Sequence, residues 1–436
     1  MLPSRRFLVL ASLGLLPALL APIWDGGFVV AVLWLLCCSG VAAASRVFGV
    51  RSEEIEVERQ LPRSFSLGET AEVTLRVRNH AGVRLRIEVM DAPPDGWDPE
   101  GLPAAASLAP GEEMTLTYRV TPDRRGQHRF GSLYTRVEQA PGLLLRQWSA
   151  PADARVRVYP DLKEVARYEL MARRSHLGEF GVHRMRIAGQ GSEFERLRDY
   201  SPDDDYRRID WKGTARRRQP VSRVYEVERS QNVLLVVDAG RMMAARSGKY
   251  TRLDRAVNSA LMLAHVVLKA GDRVGLLVVA DGVEAYLPPG KGANHFRVCL
   301  DLLYGVEARY CYVDYAAAVQ HIVTRCRRRS LVVFFTDLVD EETSGELVQS
   351  LRQLRPRHLP LCVTMRDPTL LEAAALPLHT EDEFFERAAA LELLDDRRHL
   401  AERLHREGAL VLECDEDQLS VQVVNRYLEL KARQAL

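Results

Sequence analysis

Val233-Leu234-Leu235-Val236-Val237 runs without a polar break and ends at Asp238. A continuous apolar run has no solvent-facing side, so it reads as a strand buried on both faces. Helical periodicity from Leu253 to Ala270 follows, and then a second apolar run from Val274 to Val279. The alternation continues with helical segments near Asn294 to Leu303 and Tyr315 to Cys326, the run Leu331 to Phe335, a helix near Gly345 to Leu354, and the run Leu359 to Met365. Buried strands alternating with helices predict a mostly parallel, doubly wound α/β sheet. Ligands of such sheets sit at the carboxyl ends of the strands, where Asp238 falls. Further on, Glu381 to Arg406 reads as a helix, Ala409 to Leu412 as a last strand, and Gln418 to Arg433 as a terminal helix with Val421, Val424, Tyr427 and Leu428 on one face. That face reads as core packed on the sheet.

Upstream the pattern changes. Between Glu53 and Pro160, segments such as Ala71 to Val77, Leu85 to Val89, Met114 to Val120 and Ala154 to Val158 alternate polar and apolar residues. Period-two alternation means strands with one buried face, and the recurring turns at Asn79-His80-Ala81-Gly82 and Pro93-Pro94-Asp95-Gly96 predict a β-sandwich of about 100 residues. It carries no cluster of His, Cys or carboxylates, which suits a spacer or an interaction module.

The N-terminal end is apolar from Phe7 to Trp24 and again from Phe28 to Ala44, separated by Asp25-Gly26-Gly27. Each run is long enough to cross a bilayer, and so short a connection predicts a transmembrane hairpin in contact with membrane lipid. Arg5 and Arg6 precede the first run, and Arg46 and Arg51 follow the second. The positive-inside bias then places both ends, and the soluble parts, on the cytoplasmic side of the inner membrane as a multi-pass protein. A secretory signal peptide is the competing reading; the second apolar run fits a span better than mature protein.

Composition narrows the function classes. Sixty Lys+Arg against 59 Asp+Glu leave a net charge of +1 over 436 residues, so no global field gathers nucleic acid. The seven cysteines, Cys37, Cys38, Cys299, Cys311, Cys326, Cys362 and Cys414, have no regular spacing, which points to a reducing compartment rather than a disulfide framework.

Gly189 to Arg218 differs from both neighbours. It interleaves Arg and Lys with Asp and Glu around Tyr200, Tyr206 and Trp211, and guanidinium groups that pair with carboxylates and stack on rings would order an irregular loop. The same residues suit a partner surface, because Arg and Trp recur at interface hot spots. On that reading Arg198, Tyr200, Asp204, Arg207, Asp210 and Trp211 face a protein partner. Gly189-x-Gly191 lacks the Lys-Ser or Lys-Thr of a phosphate loop.

Gly189, Gly191, Phe194, Leu197, Arg198, Tyr200, Asp204, Arg207, Ile209, Asp210 and Trp211, followed by Thr214-Ala215-Arg216, together resemble the signature of the bacterial and archaeal "domain of unknown function 58" family. Asp203 departs from it, standing where the family usually has Gly. The resemblance implies two N-terminal spans, a β-rich region, a von Willebrand factor A-like domain, and a C-terminal Tyr-Leu-x-x-Lys helix, here Tyr427 to Lys431. It also implies association with MoxR-type AAA+ ATPases.

An A-like domain raises the question of a metal-ion-dependent adhesion site, in which an Asp-x-Ser-x-Ser loop, a Thr and a second Asp hold Mg²⁺. Here the loop is Asp238-Ala239-Gly240-Arg241-Met242, Val313 stands in place of the Thr, and Asp337 supplies the second carboxylate. Gly, Met and Val offer no side-chain oxygen to complete an octahedron, so the site reads as degenerate, with Asp238 and Asp337 its only candidate metal ligands. Asp238 then caps a turn or pairs with an arginine. No Gly-x-Ser-x-Gly or His-Glu-x-x-His motif is present, and His265 within an apolar helix reads as a satisfied core histidine.

The expectation is therefore an α+β multidomain chain: transmembrane hairpin over residues 1–50, Ig-like β-sandwich over 51–160, signature region over 161–231, and doubly wound A-like domain over 232–436. The expected function is non-enzymatic, a membrane-anchored adaptor or assembly factor for a MoxR-type AAA+ ATPase, without cofactor. The alternative is a Mg²⁺-dependent A domain that binds a client carboxylate.

Overall fold

The computed structural model describes residues 2–19, 26–139, 142, 144–161, 163–173, 193–200, 209–217, 219–226, 230–338, 341–375, 377 and 380–433. The chain divides into two compact units, Met1–Tyr159 and Pro160–Leu436.

In the first unit, the helices Arg5–Leu13 and Leu15–Leu19 precede the helix Gly27–Phe48. Ser4 caps the first, its Oγ accepting from the Phe7 N–H at 3.1 Å. Among the described residues, only the helix Gly27–Phe48 is long and apolar enough to cross a membrane. Its Phe28, Leu33 and Leu36 side chains are exposed, as lipid-facing positions would be. The expected first span differs from one continuous helix. It breaks at Gly14, and Leu20 to Trp24 lie outside the described residues. The break coincides with a close crossing: a Cβ on Gly14 would come within 2.7 Å of Trp34 Cδ1. The Trp34 indole N–H, for its part, donates to the Leu10 carbonyl at 2.8 Å.

The rest of this unit is built of β-sheets. One is antiparallel and joins Leu144–Ala150, Leu133–Gln139, Leu85–Asp91 and Ala104–Leu108. A second joins Ile55–Gln60, Ala71–Asn79 and Glu113–Val120. The alternation read from the sequence is the alternation of burial: Val73, Leu75 and Val77 are buried, while Glu72, Arg76 and Arg78 are exposed. Trp97 fills the interior against Phe65 and Phe130, with ring centroids 5.1 and 5.6 Å away.

The second unit is organised by a six-stranded sheet. Across it lie Val283–Gly290, Arg273–Val279, Asn232–Asp238, Ser330–Phe335, Leu359–Met365 and Leu410–Cys414, all parallel except the antiparallel edge Val283–Gly290. Asn232–Asp238, the strand that begins the sheet in the chain, therefore lies inside it, and Val233 to Val237 are buried on both sides. Val233, Leu235 and Val237 pack with the helices Arg252–Lys269 and Leu419–Ala432. Leu234 and Val236 pack on the opposite face with Tyr315–Arg325 and Glu341–Leu354. The terminal helix is also fixed by polar contacts. Tyr427 Oη donates to Asp272 Oδ2 at 2.5 Å, and Lys431 Nζ reaches the same oxygen at 2.8 Å.

The signature stretch is more regular than its composition suggests. Glu193–Asp199 is a strand antiparallel to Val221–Glu226, and Trp211–Arg217 is a short helix.

Candidate functional site

Asp238 ends its strand at the carboxyl edge of the sheet and is buried. Its Oδ1 accepts from the Gly240 N–H at 2.7 Å, which closes a local turn. Its Oδ2 accepts from Tyr315 Oη and Thr336 Oγ1, each at 2.7 Å. Burial pushes the Asp238 carboxyl above the usual range, against these hydrogen bonds from Thr336, Gly240 and Tyr315. Of the two roles read from the sequence, Asp238 takes the turn cap and not the arginine pair.

Asp337 follows the neighbouring strand and is held differently. Arg252 Nη1 ion-pairs with its Oδ2, and Arg397 Nη2 donates to its Oδ1 at 2.7 Å. Thr364 Oγ1 adds a bond to Oδ1 at 3.1 Å. Arg252 continues outward to Asp367 Oδ2 at 2.6 Å, and Arg397 also donates to the Met365 carbonyl at 2.7 Å. Burial pushes both guanidinium groups below their ordinary values. Two arginines and two aspartates thus form a charge-balanced chain, Arg397–Asp337–Arg252–Asp367.

Local sequence explains why Arg252 arrives there. Thr251 and Asp254 form a capping box: Asp254 Oδ2 accepts from the Thr251 N–H at 2.9 Å, and Thr251 Oγ1 from the Asp254 N–H at 3.1 Å. The box starts the helix at Arg252, whose side chain then projects over the strand ends. Arg252, Arg397, Tyr315 and Thr336 were all missed by motif reading. The only sequence signal was the Thr-x-x-Asp box ahead of Arg252.

These residues do not suit Mg²⁺. A hard cation needs oxygens free to coordinate at about 2.0–2.1 Å, yet both oxygens of both aspartates already accept protein donors. The cleft that Asp238 and Asp337 line with Arg241, Met242, Tyr312 and Val313 has a volume of about 20 Å³. That is room for about one water molecule. Among the described residues, no group of three or more His, Cys, Asp or Glu could hold a metal.

The predicted partner-facing residues divide. Asp210 caps the helix Trp211–Arg217, its Oδ1 accepting from the Gly213 N–H at 3.1 Å and its carbonyl from the Thr214 N–H at 2.8 Å. Tyr200 is half-buried, with its N–H donating to the Pro220 carbonyl at 2.9 Å, and Arg198 pairs in register with Ser222. Asp204 and Arg207 lie outside the described residues. Trp211 is 71% exposed, an unusual placement for the largest apolar side chain.

Residues 196–382 match the family model described as "Protein of unknown function DUF58". The DUF58 resemblance is borne out over this region. Uncharacterized protein YeaD of Bacillus subtilis is 25% identical over 284 residues, which cover 63% of this chain and 68% of that one. Uncharacterized protein Rv1480 of Mycobacterium tuberculosis is 29% identical over 196 residues, or 44% of this chain and 60% of the relative. Among solved structures, the ASH/PapD-like domain of human CEP192 aligns at a TM-score of 0.17 and 17% identity, covering 23% of this chain and 84% of that chain. The DUF58 region contains both Trp211 and the Asp238–Asp337 strand ends.

Proposed function

We propose that this chain is a non-enzymatic, membrane-anchored adaptor or assembly factor that works with a MoxR-type AAA+ ATPase on client complexes. Its second unit is a von Willebrand factor A-like domain, a reading supported by the sheet order and the single antiparallel edge strand. The first unit is the anchor and an Ig-like sandwich. Arg5, Arg6, Arg46 and Arg51 support a hairpin with both ends in the cytoplasm.

The observation that carries the proposal is Trp211. Its neighbour Asp210 caps the helix, while the indole itself is exposed at the helix start. A solvated tryptophan gains free energy when a partner covers it, which is why Trp recurs at hot spots. The competing Mg²⁺-dependent reading would require Arg252 and Arg397 to release Asp337, leaving buried cations unpaired.

The test is affinity capture from native membranes in mild detergent, comparing wild type with Trp211→Ala. The adaptor reading expects an AAA+ ATPase in the wild-type eluate and its loss from the variant, with membrane insertion unchanged. Identical partner sets from both proteins would remove Trp211 from the docking surface.

A further inference from the structure

The loop after Asp238 and the loop before Asp314 are locked together. Arg241 N–H donates to the Cys311 carbonyl at 3.1 Å, and Arg309 N–H to the Ala239 carbonyl at 2.7 Å. Gly240 permits this approach, since a Cβ there would lie 2.3 Å from Val313 Cγ2. The paired loops place the Arg241 guanidinium over the Tyr312 ring, its Cζ 4.1 Å from the ring centroid. Arg241 is exposed, Tyr312 is 65% exposed, and Tyr310 beside them is 91% exposed.

The charges around this platform are already committed, with one exception. Arg309 pairs with Glu284 at 2.8 Å and with Asp281 at 3.3 Å. Asp314 caps the helix Tyr315–Arg325 through the Ala317 N–H at 2.7 Å. Both Asp238 oxygens are occupied by Gly240, Tyr315 and Thr336. Arg241 has no carboxylate within ion-pairing distance among the described residues; its guanidinium contacts the Tyr312 face. A cation–π contact uses no N–H donor, so the guanidinium keeps its N–H groups for bidentate pairing.

We infer that Arg241, stacked on Tyr312, is the receptor for a carboxylate side chain in an acidic segment of a protein partner. Tyr310 supplies apolar area at the rim of that contact. The cation that attracts the partner is then a side chain of this protein, and no metal is required. This surface is built from other elements than the helix bearing Trp211. The inference rests on the reading of the second unit as a binding module, without depending on which ATPase or client it meets.

The experiment uses the detergent-solubilised full chain and a fluorescein-labelled Gly-Glu-Gly-Glu-Gly-Glu-Gly peptide, with the Gln-for-Glu peptide as control, read by anisotropy at low salt. The Glu peptide is expected to bind saturably and the Gln peptide not to bind. Arg241→Gln, a change at an exposed position, weakens binding by about tenfold or more, as expected for loss of a charge-assisted pair. Arg241→Lys retains part of the affinity, and Tyr312→Leu loses part of it. Equal binding by wild type and Arg241→Gln overturns the inference, and so does an absence of saturable binding to wild type. Trp211→Ala keeps its peptide affinity even where ATPase capture is lost, so the two readings fail separately.

Discussion

Arg397 Nη2 donates to Asp337 Oδ1 at 2.7 Å, although 60 residues separate them in the chain. Arg252 approaches the other oxygen of the same carboxylate from 85 residues upstream. The Asp337 carboxylate is thus held by two guanidinium groups, which come from helices on the two sides of the sheet.

Removal of that carboxylate exposes the cost of the arrangement. Asp337→Ala leaves Arg252 buried with, among the described residues, Asp367 as its remaining ion-pair partner, and breaking a buried pair costs about 3–5 kcal/mol. The urea midpoint of the second unit should fall accordingly, and Asp337→Asn, which still accepts hydrogen bonds, should lose less. Millimolar Mg²⁺ should leave the wild-type midpoint unchanged, since mass action stabilises only a protein that binds the ion.

The tight crossing at Gly240 is a matter of space. Its φ of −80° is open to any residue, yet an added Cβ would strike Val313 Cγ2. Gly240→Ala should therefore destabilise by about 1–3 kcal/mol, as overpacking does. The double variant with Val313→Ala should recover much of the loss, which a double-mutant cycle measures directly.

The C-terminal helix depends on one aspartate. Asp272 Oδ2 receives Tyr427 and Lys431, while its Oδ1 accepts the Gln231 N–H at 3.1 Å. Asp272→Ala leaves the Lys431 ammonium, only 15% exposed, without its carboxylate. We expect a loss of about 2–4 kcal/mol. Faster hydrogen exchange across Leu419–Ala432 would localise the damage to that helix.

The strands of the second unit were legible because continuous apolar runs such as Val233 to Val237 have one physical solution, burial on both faces. The alternation in Ala71–Asn79 was equally plain. The arginine chain was not. An Arg at the start of a helix, such as Arg252, looks like a solvated charge until long-range folding brings Asp337 beneath it. The signature stretch misled in the opposite direction. Its mixed charges suggested an irregular loop, but Glu193–Asp199 pairs as a strand whose partner Val221–Glu226 starts 22 residues on. Asp210, read from the sequence as a docking residue, also caps the helix Trp211–Arg217 through the Gly213 N–H.

Acid should weaken the second unit through its buried histidines. Burial pushes the His265 imidazole down, with Glu169 opposing and Lys269 adding to the shift; burial and then the Arg357 charge do the same to His358. A depressed folded pKa means that the folded state favours the neutral ring. The resulting stability is complete above the ordinary histidine pKa of about 6.5, and it is lost as pH falls from there through the folded value. The difference in urea midpoint between pH 7.5 and pH 5 should be smaller in His265→Leu than in wild type.

The adaptor role proposed for this chain turns on Trp211 meeting a partner protein. The most direct measurement replaces Trp211 with the photo-crosslinking residue p-benzoylphenylalanine in the full-length protein, irradiates native membranes, and identifies the adduct by mass spectrometry. We expect an adduct joined at position 211 to an AAA+ ATPase. Adducts confined to this chain itself, or none at all, would contradict it.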